Sequence, residues 1–355
     1  MQRPWHTTRN LIGPIIEPFY RALVALRNTL FDRGRGVRRI GLPVISVGNL
    51  TTGGTGKTPL VMLIVRHLQA VGERPAIAMR GYKPSAAGQS DEAQEFAAAL
   101  QGVPVIVGGD RFASVAMFLK VFDRDHGENA ERPTCIVLDD GFQHRQLARD
   151  LDIVLMAADV DLTMERMLPT GDLREPLRGV SRARLIVITH AGTRERELAE
   201  GTHWSKRVLA EANLAERVVL ADHRWLGILD ASGTLHEVSH LRAVPTFACC
   251  AIGRPESFLR QAAQHALLRG ELALPDHDRY SQAMVKRIIQ QAAAARASAL
   301  LVTEKDFTKL KSRAAWLRSA GLTLYRAKLE LEIVLGRELL HQAIEDALRA
   351  HRQPE

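Results

Sequence analysis

The chain has 355 residues, 46% hydrophobic and 25% charged, enough to build a real core over two ordinary domains or one large domain with additions, which excludes a disordered or fibrous protein. Its net charge of +8 is uneven: the first 40 residues hold eight arginines against Glu17 and Asp32, leaving the rest almost neutral. That pattern excludes a general nucleic-acid surface and points to one basic segment meeting something anionic. Three cysteines (Cys135, Cys249 and Cys250), two of them adjacent, exclude a disulfide framework and a CxxC zinc site.

The first organised stretch is "LIGPIIEPFYRALVALRNTLF", residues 11–31. Ile12, Ile15, Ile16, Phe19, Leu23, Leu26 and Leu30 fall at helical spacing on one face, with Glu17, Arg21 and Asn28 on the other. Pro14 and Pro18 predict a start or kink near Pro18 rather than one straight helix. Two destinations suit such a helix: the interface of a bilayer, lying on it rather than crossing it, or the protein's own core. No uncharged run reaches about 18 apolar residues, so no span is expected. The start also lacks a signal peptide's apolar stretch and cleavage site, so a cytoplasm-facing protein is expected.

A β/α alternation follows. "LPVISVGNL" is a buried strand, 58–71 a helix, and "RPAIAMRG", "VPVIVGG", "TCIVLDD", "LDIVLMAAD" and "ARLIVITHA" are further strands. Continuous apolar strands alternating with helices predict a doubly wound parallel sheet covered on both faces. Near residue 221 the pattern changes to a hairpin turning at Ser232-Gly233, then resumes through "VPTFACCAIG", helices near 255–267 and 281–297, and "ASALLVTEKD". The expected organisation is an amphipathic helix over 1–35, a P-loop NTPase-type domain over 36–220 and a smaller α/β domain over 221–355.

Between the first strand and its helix lies "NLTTGGTGKTP". A phosphate loop needs small residues whose backbone N–H groups curl around phosphates, a lysine for their charge, and a hydroxyl for Mg2+ at a helix start. Thr51, Thr52, Gly53, Gly54, Thr55, Gly56, Lys57 and Thr58 supply these, with Thr51 where the common pattern has its first glycine. The strand in "TCIVLDDGFQH" ends in Asp139-Asp140, where the strand ends of such a sheet meet ligands and where a Mg2+-holding carboxylate is expected. Weaker alone are "SDEAQEF", in which Ser90 caps a helix opened by Asp91 and Glu92; "LPTGDLREP", which offers Arg174 and Glu175; "LPDHDRYS", with His277 between two aspartates; and "VTEKDFTKL", read as a strand closing on Lys305 and Asp306.

Together these stretches resemble the tetraacyldisaccharide 4′-kinase family, the lipid A 4′-kinases. The shared marks are "VGNLTTGGTGKTP", "RGY" at 80–82, "SDEA" at 90–93, "DDGFQH" at 139–144, "LREP" at 173–176, "DH" at 276–277 and "TEKD" at 303–306, in the family's order. The resemblance implies transfer of the ATP γ-phosphate to the 4′-hydroxyl of an acylated glucosamine disaccharide 1-phosphate. It implies ATP as co-substrate with Mg2+, no nucleic-acid partner, and a peripheral (monotopic) protein on the cytoplasmic face of the inner membrane, held there in part by anionic lipid. It assigns Asp91 and His277 as an acid–base pair, Lys57 as the phosphate lysine and Asp139 as the Walker-type carboxylate. Thr58, Asp139, Asp140 and Glu175 are the candidate Mg2+ ligands. Departures are Ser90 and Lys83 where the family often has glycine, and "PTGDLREP" for a more usual "PAGPLREP". Two rivals remain. One is a soluble small-molecule kinase or synthetase of the same loop class. The other is a nucleotide-switched partner-delivery ATPase with a K-G-G-x-G-K-T loop, against which Thr52 counts because it stands where that class has an extra lysine.

Overall fold

The computed structural model describes residues 6–52, 55–81, 91–126, 131–253, 255–275 and 278–352. The chain forms two compact units, residues 1–222 with 331–355, and residues 223–330.

The first unit is built on strands β1 (Val44–Asn49), β2 (Pro75–Met79), β3 (Val105–Val107), β4 (Cys135–Asp139), β5 (Leu151–Ala157), β6 (Leu185–Thr189) and the first residues of β7 (Val218–Asp230). They lie in the order β3-β2-β4-β1-β5-β6-β7, every pair parallel. The strands are short apolar runs, buried at every position in β1, β2, β4, β5 and β6. That is what a parallel sheet with helices on both faces requires. Alternate residues divide between the faces. Ile45, Val47 and Val137 join Leu60 and Ile64 of α2 (Lys57–Ala70) and Phe96 of α3 (Asp91–Ala99). On the other face, Val44, Ile136 and Leu138 meet Val115 and Leu119 of α4 (Arg111–His126), while Val154 and Ile186 pack with Val24 of α1 (His6–Asp32). The thiols of Cys135 on β4 and Cys249 on the strand Pro245–Cys250 are pushed up to about 12 by burial, so both are inert.

The second unit contains the rest of β7 with its hairpin partner β8 (Leu235–His236), then β9 (Pro245–Cys250), β10 (Leu267–Ala273), β11 (Ala299–Val302) and most of β12 (Thr323–Leu335). Its parallel order is β10-β9-β11-β12, with helices Pro255–His265 and Gln282–Ala294 on the sheet.

Three details differ from the sequence expectations. Residues 331–355 belong to the first unit and not to a domain spanning 221–355, because β12 carries the chain back and the closing helix Arg337–Arg352 buries Leu340, Ile344 and Leu348 in the core of α2 and β1. The stretch after β11 is helical over Glu304–Leu310: Thr303 caps it by accepting from the Asp306 N–H, so Lys305 and Asp306 lie in a helix rather than closing a strand. Helix α1 runs unbroken through Pro14 and Pro18 and does not start there.

The way α1 faces is also informative. Its side toward the first unit carries buried Glu17 and Val24 with half-buried Tyr20 and Asn28, and Glu17 pairs with Arg21 and Arg166 at 3.1 and 3.3 Å. Its apolar side, Ile15, Ile16, Phe19, Leu23 and Leu26, is 46–74% exposed. An ordinary core-packed amphipathic helix does the reverse. Among the described residues no helix is long and apolar enough to cross a membrane.

The placement of the closing helix can be tested by truncating a side chain. Ile344, fully buried in the first unit's core, should cost about 2–5 kcal/mol of unfolding free energy when changed to alanine. Denaturant titration measures it; a loss under about 0.5 kcal/mol, the scale of a surface change, would contradict the packing.

Candidate active site

Strand β1 has β4 on one side and β5 on the other, while the chain leaving it through α2 goes to β2, beyond β4. A crevice outside the strand ends is expected at such a reversal. Here the ends of β1 and β4 are Asn49 and Asp139, and Val47 lies in register with Asp139. The loop from β1 to α2 opens there, with Gly56 at the helix N-cap in the left-handed region (φ 84°) where a side chain would be strained. Gly48 is needed for another reason: a Cβ on it would lie 2.6–2.7 Å from Phe142 Cβ and N, so the turn after β4 crosses directly over β1.

Asn49 organises the loop. Its Nδ2 donates to Thr55 Oγ1 at 3.0 Å and to Thr51 Oγ1 at 3.5 Å, and its Oδ1 accepts from Lys57 Nζ at 3.2 Å. Thr189 at the end of β6 donates to the Thr55 carbonyl at 3.0 Å. Thr51 forms an antiparallel bridge with Leu173: Thr52 N donates to Asp172 O and Arg174 N to Leu50 O, both at 2.8 Å. Thr51 has no positive φ, so the glycine of the common pattern has no conformational role here. Thr52 Oγ1 donates to Asp172 Oδ1 at 2.5 Å, so the aspartate that departs from the family's "PAGPLREP" holds the threonine that departs from the lysine-rich loops.

Two carboxylates face Lys57 under opposite electrostatics. Asp140 takes the left-handed conformation (φ 52°), which aspartate tolerates better than most residues. Both its oxygens accept from Arg174 Nη1 at 2.8 Å, and Oδ1 lies 3.5 Å from Lys57 Nζ. Burial pushes its pKa up, but the two cations outweigh that and hold it below the usual carboxylate range. Asp139 is only 5% exposed, and its Oδ1 has no hydrogen-bond partner among the described residues. Burial, reinforced by Asp140 and Glu92 and only partly offset by Lys57, pushes it up to about 7. Arg111, the buried first residue of α4, adds positive charge. Its guanidinium lies 3.3 Å from His144 Nδ1 and 3.4 Å from the Asp140 carbonyl. Burial and that charge push His144 down to about 4, so the imidazole is neutral near pH 7.

These residues fit a nucleotide with its divalent cation. A buried carboxylate oxygen with no donor is the partner a hard cation lacks, and an all-oxygen set suits Mg2+. Thr58 stands in the first turn of α2, where a phosphate-loop hydroxyl joins such a set. Glu175, expected among the ligands, is used otherwise. Fully buried, it forms an ion pair with Arg182, whose Nη2 lies at 2.8 Å, and accepts from Gln143 Nε2 at 2.9 Å and Asn28 Nδ2 at 3.3 Å. With partners on both oxygens among the described residues, it braces the site. Of the other expected residues, the structure brings Thr51, Thr52, Thr55, Gly56, Lys57, Asp139 and Asp140 together. Gly53, Gly54 and His277 lie outside the described residues, as does the side chain of Asp91. Asn49, Gln143 and Arg174 received no role from the sequence, although all three stand inside its quoted motifs.

A doubly wound parallel sheet, a lysine-bearing loop between its first strand and helix, and an acidic strand end beside it define an ATP-dependent phosphotransferase of the P-loop class. Within that class, the chain belongs to the Tetraacyldisaccharide-1-P 4'-kinase family, which it matches over residues 11–349. Similar proteins include the tetraacyldisaccharide 4'-kinases of Anaeromyxobacter sp. (strain K), 34% identical with 96% of this chain and 91% of that protein covered, and of Pelodictyon phaeoclathratiforme, 31% identical with 93% and 95% covered. The fold is shared with the Aquifex aeolicus LpxK crystal structure in complex with ATP (TM-score 0.69, 24% identity, 96% of this chain and 99% of that chain covered).

The unequal use of the acids can be checked directly. Asp139→Asn should abolish the strengthening of ATP binding by Mg2+. Glu175→Gln should keep it while lowering stability by about 3 kcal/mol, the cost of breaking a buried ion pair. Calorimetric ATP titrations with and without Mg2+, beside thermal melts, distinguish them; the opposite pattern would return Glu175 to the metal.

Proposed function

We propose that this chain transfers the γ-phosphate of ATP to the 4′-hydroxyl of a tetraacylated glucosamine disaccharide 1-phosphate, a step of lipid A biosynthesis, while lying peripherally on the cytoplasmic face of the inner membrane. The family match over residues 11–349 carries this reading, and the retained Lys57 with the Asp139–Asp140 strand end supports it. Lys57 and the loop N–H groups bind the phosphates and stabilise charge developing on the phosphoryl oxygens. Thr58 and Asp139 would hold Mg2+, which when bound neutralises charge on the β- and γ-phosphates. Lys57 and Arg174 together hold Asp140 below the usual carboxylate range, Lys57 from 3.5 Å and Arg174 by hydrogen bonds at 2.8 Å. A sugar hydroxyl carries little anion at neutral pH, so a carboxylate must take its proton as attack proceeds. Asp91 has that role, with His277 orienting it.

The acceptor's acyl chains keep it in the bilayer, since each buried CH2 contributes about 0.8 kcal/mol. The enzyme therefore meets it at the surface. The outward apolar face of α1, with exposed Arg21, Arg33, Arg35 and Arg39 nearby, suits an anionic bilayer. A soluble small-molecule kinase leaves that face without a purpose.

Labelled ATP with tetraacyldisaccharide 1-phosphate in mixed micelles should give the 4′-phosphorylated product, and a polar disaccharide should give none. Equal transfer to the polar sugar would contradict the acceptor assignment. Asp91→Ala should lower kcat by about 10² to 10⁴, and His277→Ala should lower it as well. Because the two act as one unit, the double variant should lose far less than the product of the single losses. Multiplicative losses in steady-state rates would separate the pair. A mild Asp91→Ala would move the base role to Asp139 or Asp140.

A further inference from the structure

The polar side of α1 is bonded to two consecutive residues that also grip the nucleotide site. Tyr20 Oη donates to the Arg174 carbonyl at 2.8 Å, and Asn28 Nδ2 donates to Glu175 Oε2 at 3.3 Å. From the same two residues, the Arg174 guanidinium holds both Asp140 oxygens at 2.8 Å. The other Glu175 oxygen accepts from Gln143, which also donates to the Asn49 carbonyl at the loop's first hinge, at 2.8 Å. The Arg174 N–H completes the set on the Leu50 carbonyl. One or two hydrogen bonds therefore separate the helix from the groups that position Lys57 and the strand-end acids.

On its other side α1 presents five large apolar residues outward, while Val24 is its buried apolar residue among those described. Among the described residues its hold on the first unit combines Val24 and the Tyr20 ring with separate polar bonds, each individually weak in water. Such an element belongs to the low-stability part of a fold and gains order when its apolar face is covered.

We infer that seating α1 on a bilayer and binding Mg2+·ATP are thermodynamically coupled, with Tyr20 and Asn28 as positioning residues acting through Arg174 and Glu175. Lipid contact fixes α1, α1 fixes segment 174–175, and that segment fixes Asp140 and the loop. Because linkage is reciprocal, nucleotide must tighten lipid binding by the factor by which lipid tightens nucleotide binding. The consequence is a kinase that holds ATP best where its acceptor is. This rests on the reading that α1 lies on the membrane.

The test uses the full chain, vesicles of phosphatidylethanolamine and phosphatidylglycerol without acceptor lipid, and a non-hydrolysable ATP analogue with Mg2+. Vesicle co-sedimentation and analogue affinity are measured separately and together. The expected result is about fivefold or more tighter analogue binding on vesicles, with the same factor in vesicle affinity at saturating analogue. Tyr20→Phe, which removes one hydroxyl and keeps the ring, should bind vesicles normally yet show less than about a twofold factor; Asn28→Ala is the second, independent variant. If the intact protein does not bind vesicles, the membrane reading falls and the coupling with it. If it binds them but analogue affinity is the same on and off vesicles, the coupling alone is overturned. Variants that both keep the full factor would overturn the route through Tyr20 and Asn28.

Discussion

A buried carboxylate with one oxygen left without a donor is the constraint on which this structure turns. Asp139 ends a wholly buried strand, and its Oδ1 finds no donor among the described residues. With its pKa raised from the usual carboxylate range to about 7, the folded chain binds this proton more tightly than the unfolded chain. The stability contributed is complete below about pH 4 and is lost as pH rises through about 7, on the order of 4 kcal/mol at most. A fold keeps such a group only where something else compensates, and on the proposed reading that is a divalent cation brought with a nucleotide. The neighbouring residues follow from this. Arg174 makes the closer contacts to Asp140, while Lys57 shares in holding its charge from the longer distance of 3.5 Å.

The rest of the site is a frame around that pair. Asn49 ties both ends of the loop and the lysine, Thr189 holds the loop from β6, and the 172–174 bridge holds it from the other side. The frame extends through Glu175 into α1, which joins its exposed apolar face to the nucleotide site. On the proposed reading a lipid-embedded acceptor and a soluble donor must meet in one place, and this continuity would give the protein a physical means of binding them together.

Much of this was legible in the sequence because it rests on local pattern. The apolar runs "VISVGN", "CIVLD" and "LDIVLMA" are strands β1, β4 and β5, and Lys57 and Asp139 stand where the loop and strand-end motifs put them. What escaped depends on long-range contacts. Arg174 and Glu175 are adjacent in one loop, and no local rule says that the arginine faces the site while the glutamate turns to Arg182 and Asn28. Helical spacing defined two faces on α1 but not which one meets the protein, and the outward apolar face is opposite to the common case. The closing helix follows the second unit in sequence, yet its buried side chains join the first, because β12 carries the chain back.

The central claim, that the raised Asp139 carboxyl gives up its proton when Mg2+·ATP binds, is tested most directly by counting protons. Binding of preformed Mg2+·ATP is followed calorimetrically in buffers of different ionisation enthalpy, with Asp139→Asn as the reference that removes the nucleotide's own titration. With a carboxyl at about 7, the wild type should release close to one proton more than the variant near about pH 6 and almost none near about pH 8. Mg2+·ATP affinity should rise over the same interval. No difference in proton release between wild type and variant near about pH 6 would contradict the claim, because Asp139 would then be ionised before the cation arrives.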